Sequence, residues 1–193
     1  MNMTDLLLLD SPDSIFEDLW SRLVRGVDDP AHPFRFAVIA TARLDGAPAA
    51  RNVVLRRAER EARRLVFCTD ARSPKVAQMR ADPRVAWVFW DPADKLQLRM
   101  ESIATLHVGD EIAAAQWALV PAGNRVVYQS PLVSGQTLSR VHTQPPPATG
   151  GSEYFCVAVC AIRSIDWLVL CEGGHRRARF SGEELERFEW LAP

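Results

Sequence analysis

The sequence carries almost no net charge and has no long hydrophobic run near its start, and each absence excludes a class of protein. Its 23 basic and 24 acidic residues leave a formal net charge of −1, so no global field favours nucleic acid or an anionic membrane as a partner. The leucine run 6–9 lies between Asp5 and Asp10 and is too short for a signal peptide or a membrane span. We therefore expect a cytoplasmic protein with no nucleic-acid or membrane partner.

Cysteine is also scarce. The four cysteines, Cys68, Cys156, Cys160 and Cys171, form no CxxC pair and have no accompanying histidine cluster. This pattern supports neither a zinc site nor a disulfide framework. Because free cysteine is often buried, we expect buried thiols and no metal.

Length and composition fit a single globular domain. The chain has 193 residues, of which 48% are hydrophobic and 24% are charged, and these proportions are ordinary for a protein with one sizeable core. We therefore treat residues 1–193 as one domain. Within it we predict an N-terminal helix in 1–30, a long loop over 130–151 that is rich in proline and glycine, and a C-terminal helix over 181–193.

Capping residues mark the predicted helices. Ser11-Pro12 precedes apolar residues at helical spacing, which indicates an amphipathic helix that ends near Gly26. Ser73-Pro74 repeats the signature before a shorter helix, and Asp110 caps a further one. The Ser-Gly-Glu-Glu run at 181–184 has the form of a capping box and therefore predicts the C-terminal helix.

Short apolar segments separated by turn signals outnumber the helices, and Asp45-Gly46 is a hairpin signal. The predicted strands cover 34–43, 48–57, 64–69, 84–90, 97–107, 154–162, 165–171 and 176–180. This pattern favours a mainly β fold with flanking helices, in which the strands form an antiparallel barrel rather than a doubly wound parallel sheet.

One turn has the composition of an anion-binding site. Residues 67–75 combine the hydroxyls of Thr69 and Ser73 with Arg72, Lys75 and the free amides of a helix N-terminus, all of which favour a phosphate. The same residues are also typical of an ordinary capped helix with a solvated lysine.

The preceding strand segment, 51–56, adds a second cation. Strand alternation places Arg51, Val53 and Leu55 on one face. An inward-facing arginine needs a partner, and a bound phosphate is a good one because it accepts paired, charge-assisted hydrogen bonds. An exposed edge strand with solvated arginines is the alternative.

Four segments, taken in series, resemble the pyridoxamine 5′-phosphate oxidase-like family of FMN-binding proteins. They are 51–56, 67–75, 82–85 and 97–101, and the likeness resumes at Gln129-Ser130 and near the C-terminus. The resemblance implies an FMN-binding split β-barrel that forms a homodimer with FMN at the subunit interface.

The resemblance also implies roles for individual residues. Arg51 and Lys75 match the ligands of the FMN phosphate, with Thr69 and Ser73 as hydroxyl partners. Cys68 and Arg72 lie in the same matching turn and are also expected among the cofactor-binding residues. The residues expected along the flavin are Val53, Val54, Leu55, Arg56, Gln97 and Arg179. A further pair, Gln129 and Ser130, matches residues that reach FMN from the second subunit.

Departures from the family pattern concern the substrate. The run 176–179, Arg-Arg-Ala-Arg, lacks the histidine and aspartate with which the oxidases orient their vitamin substrate. Pro74 replaces an arginine beside the lysine, and Arg72 offers a charge from the same turn. We therefore expect an FMN-dependent oxidoreductase that acts on a substrate other than pyridoxamine 5′-phosphate.

No side chain stands out as a catalytic acid or base, and we expect structural or solvated roles for His107, His142 and His175. Two alternatives remain open. One is a flavin-binding module without turnover, used for storage or sensing. The other is a relative that has exchanged FMN for haem or a deazaflavin, since a shared fold does not fix function.

Overall fold

One antiparallel sheet organises the chain. The structure, a computed structural model, describes residue 6, residues 9–141 and residues 150–193. The strands are β1 (Phe36–Ala42), β2 (Pro48–Val54), β3 (Arg57–Glu59), β4 (Arg64–Asp70), β5 (Arg84–Asp91), β6 (Leu96–Val108), β7 (Phe155–Val169), β8 (Arg176–Ser181) and β9 (Arg187–Leu191). Their order is β2-β1-β5-β6-β7-β4-β3, with β8 paired to β7 and β9 paired to β8. Within the described residues β2 and β3 do not pair, so the barrel is split.

Besides two short 3-10 helices, Pro33–Arg35 and Ser152–Tyr154, four α-helices flank the sheet in the described part of the chain. They are α1 (Pro12–Asp28), α2 (Pro74–Ala81), α3 (Glu111–Ala118) and α4 (Ala122–Gln129). The Ser11 side chain caps α1 as predicted. Buried Arg22 attaches this helix to the end of β5, because it forms ion pairs with Asp18, Asp91 and Asp94.

The strand register separates the sheet into two faces. Arg51, Ile39, Trp87 and Met100 occupy one row across β2, β1, β5 and β6, on the face that covers the core. We call this the inner face. The neighbouring row runs through Asn52, Val38, Val88, Arg99, Asp166 and Arg179. Because successive side chains of a strand point to opposite sides, this second row lies on the other side of the sheet, which we call the outer face.

The predicted C-terminal helix is wrong. After β8 the chain turns through Gly182 and Leu185, whose φ angles are 105° and 57°, and returns as strand β9. Phe188 of β9 packs its ring 5.1 Å from that of Phe180 on β8. Pairing and packing with β8 thus override the local capping signal, since propensity is a weak prior against tertiary contacts.

Two predicted strands, 154–162 and 165–171, are one continuous strand. Along β7 the register with β6 shifts so that Ile162 pairs with Ser102 while Ser164 pairs with Glu101. Arg163 is therefore the extra residue of a β-bulge, which keeps the strand continuous while it bends. The described ends of the predicted loop, 130–141 and 150–151, contain no helix or strand.

Candidate functional site

Two cations from different elements meet on the inner face. Arg51 extends from β2, and its guanidinium donates to Thr41 Oγ1 at 2.6 Å and to Gln78 Oε1 at 3.0 Å. Lys75, in the first turn of α2, donates from Nζ to Thr69 Oγ1 at 3.0 Å. Hydroxyl and amide oxygens therefore orient both cations, and no carboxylate takes part in these contacts.

The electrostatics of this pair indicate a site for an anion. Burial lowers the pKa of Arg51, and burial together with the charge of Arg51 lowers the pKa of Lys75. Within the described residues neither cation forms an ion pair. Two partly buried like charges disfavour each other unless an anion lies between them, so the arrangement favours an external anionic group.

Hydroxyl groups complete the surroundings of Lys75. Ser73 precedes α2, but its side chain makes no capping hydrogen bond. Its Oγ lies 3.4 Å from Thr69 Oγ1, so the predicted side-chain cap is not formed and the hydroxyl belongs to the Thr69 cluster. Ser130 lines a cleft of about 400 Å³ together with Thr69 and Lys75. We call Arg51, Thr69, Ser73, Lys75 and Ser130 the cradle.

The Gln129-Ser130 pair is divided by the end of α4. Ser130 belongs to the cradle of its own chain, where its Oγ accepts a hydrogen bond from the Leu132 amide at 3.1 Å. Gln129 instead donates to the Gly150 carbonyl at 3.3 Å. Ser130 thus lines the same cleft as Lys75 within one chain.

Arg72, which is expected to offer a charge in place of the one lost at Pro74, has partners within the chain. Its guanidinium donates to Asp70, with the shortest contact at 2.6 Å, and to the Ser130 carbonyl at 3.0 Å. The guanidinium carbon also lies 3.8 Å from the centre of the Tyr154 ring. Arg72 is therefore neutralised within the chain, and it holds the turn that positions Lys75 and Ser130.

The remaining residues of the 51–56 segment separate by face. Val53 and Leu55 are buried in the core, and Val54 is half-buried on the other face. Arg56 and Cys68 line a neighbouring cleft with Tyr128. Burial raises the pKa of Cys68 to about 11, although Arg56 and Arg57 partly oppose this shift.

Gln97 and Arg179 lie on the outer face, away from the cradle. Gln97 alternates with buried Leu96 and Leu98 along β6, while Arg179 is in register with Asp166. A single chain therefore does not bring the predicted ring contacts together with the predicted phosphate ligands. The outer face is also apolar in part, because Phe36 and Trp90 are 60% and 43% exposed.

The arginines of run 176–179 have different surroundings. Buried Asp166 accepts hydrogen bonds from Arg177 at 2.7 Å and from Arg99 at 2.9 Å. Burial alone would raise the pKa of Asp166, but these two hydrogen bonds lower it below the ordinary value. Arg176 lies over the Trp190 ring, 5.1 Å from its centre. Two of the three arginines in the run therefore have structural partners.

Sequence reasoning missed Thr41, Gln78 and Tyr128. Thr41 and Gln78 orient Arg51, and Tyr128 lines both the cradle cleft and the neighbouring cleft. The signal was present for the first two, because each is a polar residue at a buried position of an otherwise apolar pattern. Such residues need hydrogen-bonding partners, which Arg51 supplies.

The histidines and cysteines singled out in the sequence have local structural contacts or are free thiols. His107 contacts Asp110 at 2.8 Å, and His175 accepts from the Cys171 amide at 3.3 Å; His142 lies outside the described residues. All four cysteines are free, two of them buried. The described part of the chain holds no group of residues that could bind a metal and no helix that could cross a membrane.

Comparison with known sequences supports the predicted family. Residues 17–108 match the family described as pyridoxamine 5′-phosphate oxidase, FMN-binding domain. A pyridoxine/pyridoxamine 5′-phosphate oxidase of Anaeromyxobacter dehalogenans is 35% identical over 104 residues, which are 54% of this chain and 51% of that protein. One from Thermosynechococcus vestitus is 44% identical over 63 residues, which are 33% of this chain and 29% of that protein. The chain thus spans about half or less of the length of these curated relatives.

Solved structures show the same fold. A pyridoxamine 5′-phosphate oxidase-related, FMN-binding protein from Nostoc punctiforme has a TM-score of 0.76 at 22% identity, covering 95% of this chain and 98% of that chain. PhzG from Burkholderia lata, solved with tetrahydrophenazine-1-carboxylic acid, has a TM-score of 0.70 at 14% identity, covering 95% and 93%. The fold is the split β-barrel that these proteins share. The resemblance to the pyridoxamine 5′-phosphate oxidase-like family is confirmed by the sequence match over residues 17–108.

Proposed function

We propose that this chain is an FMN-dependent oxidoreductase of the cytosol, that it works as a homodimer, and that its substrate is not pyridoxamine 5′-phosphate. The observation that carries the proposal is the cradle, in which Arg51 and Lys75 lie close together with no carboxylate partner. Both cations fall inside the segment that matches the FMN-binding domain family. The cofactor phosphate is the anion that their surroundings favour.

The residues of the cradle fit that phosphate. Arg51 offers a planar donor already oriented by Thr41 and Gln78, and Lys75 offers a point charge beside Thr69. Such charge-assisted hydrogen bonds are the strong ones in phosphate recognition. FMN, when bound, supplies the hydride and electron-transfer chemistry, and this chain binds and orients it.

The surroundings of run 176–179 argue against a phosphorylated vitamin substrate. Arg177 is tied to Asp166, and Arg176 lies over an aromatic ring. The phosphate of such a substrate would need cations of its own. Among the described residues, Arg179 is the one arginine of this run with no side-chain partner, so a single free cation is left for that phosphate. The missing histidine and aspartate remove the groups that would orient the pyridine ring.

The proposed homodimer follows from the division of the site. Gln97 and Arg179 lie on the face opposite the cradle, so they can meet the flavin only if they come from a second copy. Exposed Phe36 and Trp90 on that outer face give the second copy an apolar surface to cover. A two-fold arrangement would then place each cradle against the partner's outer face and make the two sites equivalent.

Analytical ultracentrifugation of the FMN-loaded protein tests the dimer. The parent protein is expected to sediment as a dimer. Trp90→Glu, which places a charge on the outer face, is expected to shift it to the monomer, while Leu44→Glu, at an exposed hairpin position, leaves it dimeric. A parent protein that stays monomeric at micromolar concentration and still binds FMN fully contradicts the shared site.

The absorption spectrum of the purified protein tests the cofactor. FMN predicts the two visible bands of an oxidised flavin, whereas haem gives one dominant Soret band and a deazaflavin gives a single flavin-like band. Turnover is tested separately, by reducing the bound cofactor with a nicotinamide cofactor and following its reoxidation by candidate acceptors. A bound flavin that no donor or acceptor cycles supports the storage or sensing module instead.

A further inference from the structure

We propose that the cleft next to the cradle binds a small apolar molecule of one or two rings that carries a single negative charge. The proposal rests on the proposed function, because it identifies the class of substrate that the flavin site would serve. The cleft lies between β4 and helices α3 and α4 and has a volume of about 250 Å³. Its wall includes Arg56, Gln116, Leu119, Asn124, Val127 and Tyr128.

The cleft contains one uncompensated positive charge. The side chain of Arg56 makes no hydrogen bond or ion pair with any described residue. Cys68 and Tyr128 stay protonated beside it, since burial raises the pKa of both groups. The nearby carboxylate of Asp70 is held by Arg72. A ligand with one negative charge therefore balances the site, whereas the cradle offers two cations.

The walls around that charge are apolar. Leu119 and Val127 are 74% and 65% exposed where they border the cleft, and Phe155 closes its floor. Gln116 and Asn124 add neutral amides, which can orient a ligand without adding charge. Large apolar side chains at such exposure favour a ligand that covers them, because apolar surface removed from water stabilises a complex.

Position and size define the ligand further. Val127 and Tyr128 line both this cleft and the cradle cleft, so a molecule held by Arg56 lies next to whatever the cradle holds. Sites for drug-sized ligands usually measure about 300–1,000 Å³. A volume of about 250 Å³ lies below that range and fits a ligand of one or two rings.

Calorimetric titration with 2-naphthoate and 2-naphthamide tests the proposal, because the two probes share a ring system and differ in charge. The FMN-loaded parent protein is expected to bind the naphthoate about tenfold to a hundredfold more tightly than the naphthamide, which is the effect of one charge-assisted contact. Arg56→Met is expected to remove that preference, and Arg56→Lys to retain part of it. The matched control is Arg57→Met, since Arg57 pairs with Glu59 and its loss leaves the preference unchanged.

The apolar part of the proposal has its own variant. Leu119→Glu, at an exposed position, is expected to weaken both probes. The proposal is overturned if the parent binds neither probe, if it binds both equally, if the preference survives in Arg56→Met, or if pyridoxal 5′-phosphate binds through Arg56 more tightly than the naphthoate.

An FMN titration on the same preparation separates this proposal from the proposed function. Absence of FMN binding contradicts the proposed function, while a preference for naphthoate that depends on Arg56 in that sample still supports the cleft. Naphthoate that bound in an empty cradle would respond to Arg51→Ala instead. FMN bound normally, with no such preference, contradicts the cleft alone.

Discussion

Two cation-rich regions lie on opposite faces of the same sheet, and they differ in how their charges are balanced. On the outer face, Asp166 accepts hydrogen bonds from Arg99 and Arg177, so those charges are neutralised within the chain. In the cradle, Arg51 and Lys75 contact hydroxyl and amide oxygens. The comparison shows that the number of arginines does not locate an anion site. The informative feature is a cation that makes no direct contact with a carboxylate, as is the case for Arg51 and Lys75, although Asp70 lines the same cleft as Lys75.

The largest expected effect is the loss of pyridoxamine 5′-phosphate oxidation, because the outer face does not form a substrate site. If the Asp166 cluster is structural, the FMN-loaded protein oxidises pyridoxamine 5′-phosphate at no useful rate. Precise placement of reactants accounts for roughly 7–11 kcal/mol of a barrier, so the loss of the orienting residues in run 176–179 outweighs the loss of one binding contact. Anaerobic mixing with excess substrate, while the flavin absorbance is followed, measures this.

Rapid bleaching to reduced flavin, with pyridoxal 5′-phosphate formed in equal amount, contradicts that expectation. It would show that the arginines of the outer face still build a substrate site despite their contacts with Asp166 and Trp190. A competent flavin is the required control, and reduction of the same sample by dithionite confirms it.

A smaller effect is expected when the carboxylate of the outer face is removed. Asp166→Asn leaves Arg99 and Arg177 without a charged acceptor, and we expect it to lower the free energy of unfolding by about 1–3 kcal/mol at pH 7. Burial would raise the pKa of Asp166, but the contacts with Arg177 and Arg99 lower it below the ordinary value. The ionised Asp166 therefore stabilises the folded protein above the ordinary carboxyl pKa of about 4, and this stabilisation is lost as the pH falls below that value. Urea unfolding at several pH values measures both.

The two proteins should therefore converge in stability at acid pH. A gap between parent and Asp166→Asn that stays constant down to pH 3, or FMN affinity that falls with this substitution in the monomeric chain, contradicts a purely structural cluster.

The smallest expected effect is that of Arg99→Gln. The Arg99 side chain is half exposed, and an exposed ion pair contributes about 0.2–1 kcal/mol. Because Arg177 still neutralises Asp166, unfolding at pH 7 should change within that range. A larger loss would show that the two arginines are not equivalent partners and that Arg99 carries the cluster.

The sequence predicts most of this fold because its signals are local. The hairpin at Asp45-Gly46, the capped helix after Ser11 and the apolar alternation of the strands all correspond to observed elements. The C-terminal helix was wrong because the 181–184 capping pattern competes with pairing to β8. Helix α4, which carries Tyr128, was not predicted, since proline and glycine at its start obscure the helical spacing.

The parts of the site that depend on strand alternation and on one local turn were predictable from the sequence. The register confirms that Arg51 and Val53 share a face, and the turn 67–75 does bring Thr69, Ser73 and Lys75 together. The pairing of Arg72 with Asp70 was not predictable from spacing alone, and neither was the position of Gln97 opposite the cradle. Asp70 and Arg72 are only two residues apart, but the position of Arg72 also depends on Ser130 and Tyr154 from later in the chain. The position of Gln97 depends on the pairing of β6 with β5 and β7.

The most direct test of the account is a comparison of FMN and riboflavin binding by the parent protein and Arg51→Ala, with Arg43→Ala as a control at an exposed hairpin position. Each charge-assisted hydrogen bond to the phosphate contributes about 1.5–3 kcal/mol, so Arg51→Ala should weaken FMN tenfold to a hundredfold. Riboflavin, which lacks the phosphate, should bind both proteins equally. If Arg51→Ala binds FMN as tightly as the parent, the cradle does not hold the phosphate and the account is wrong.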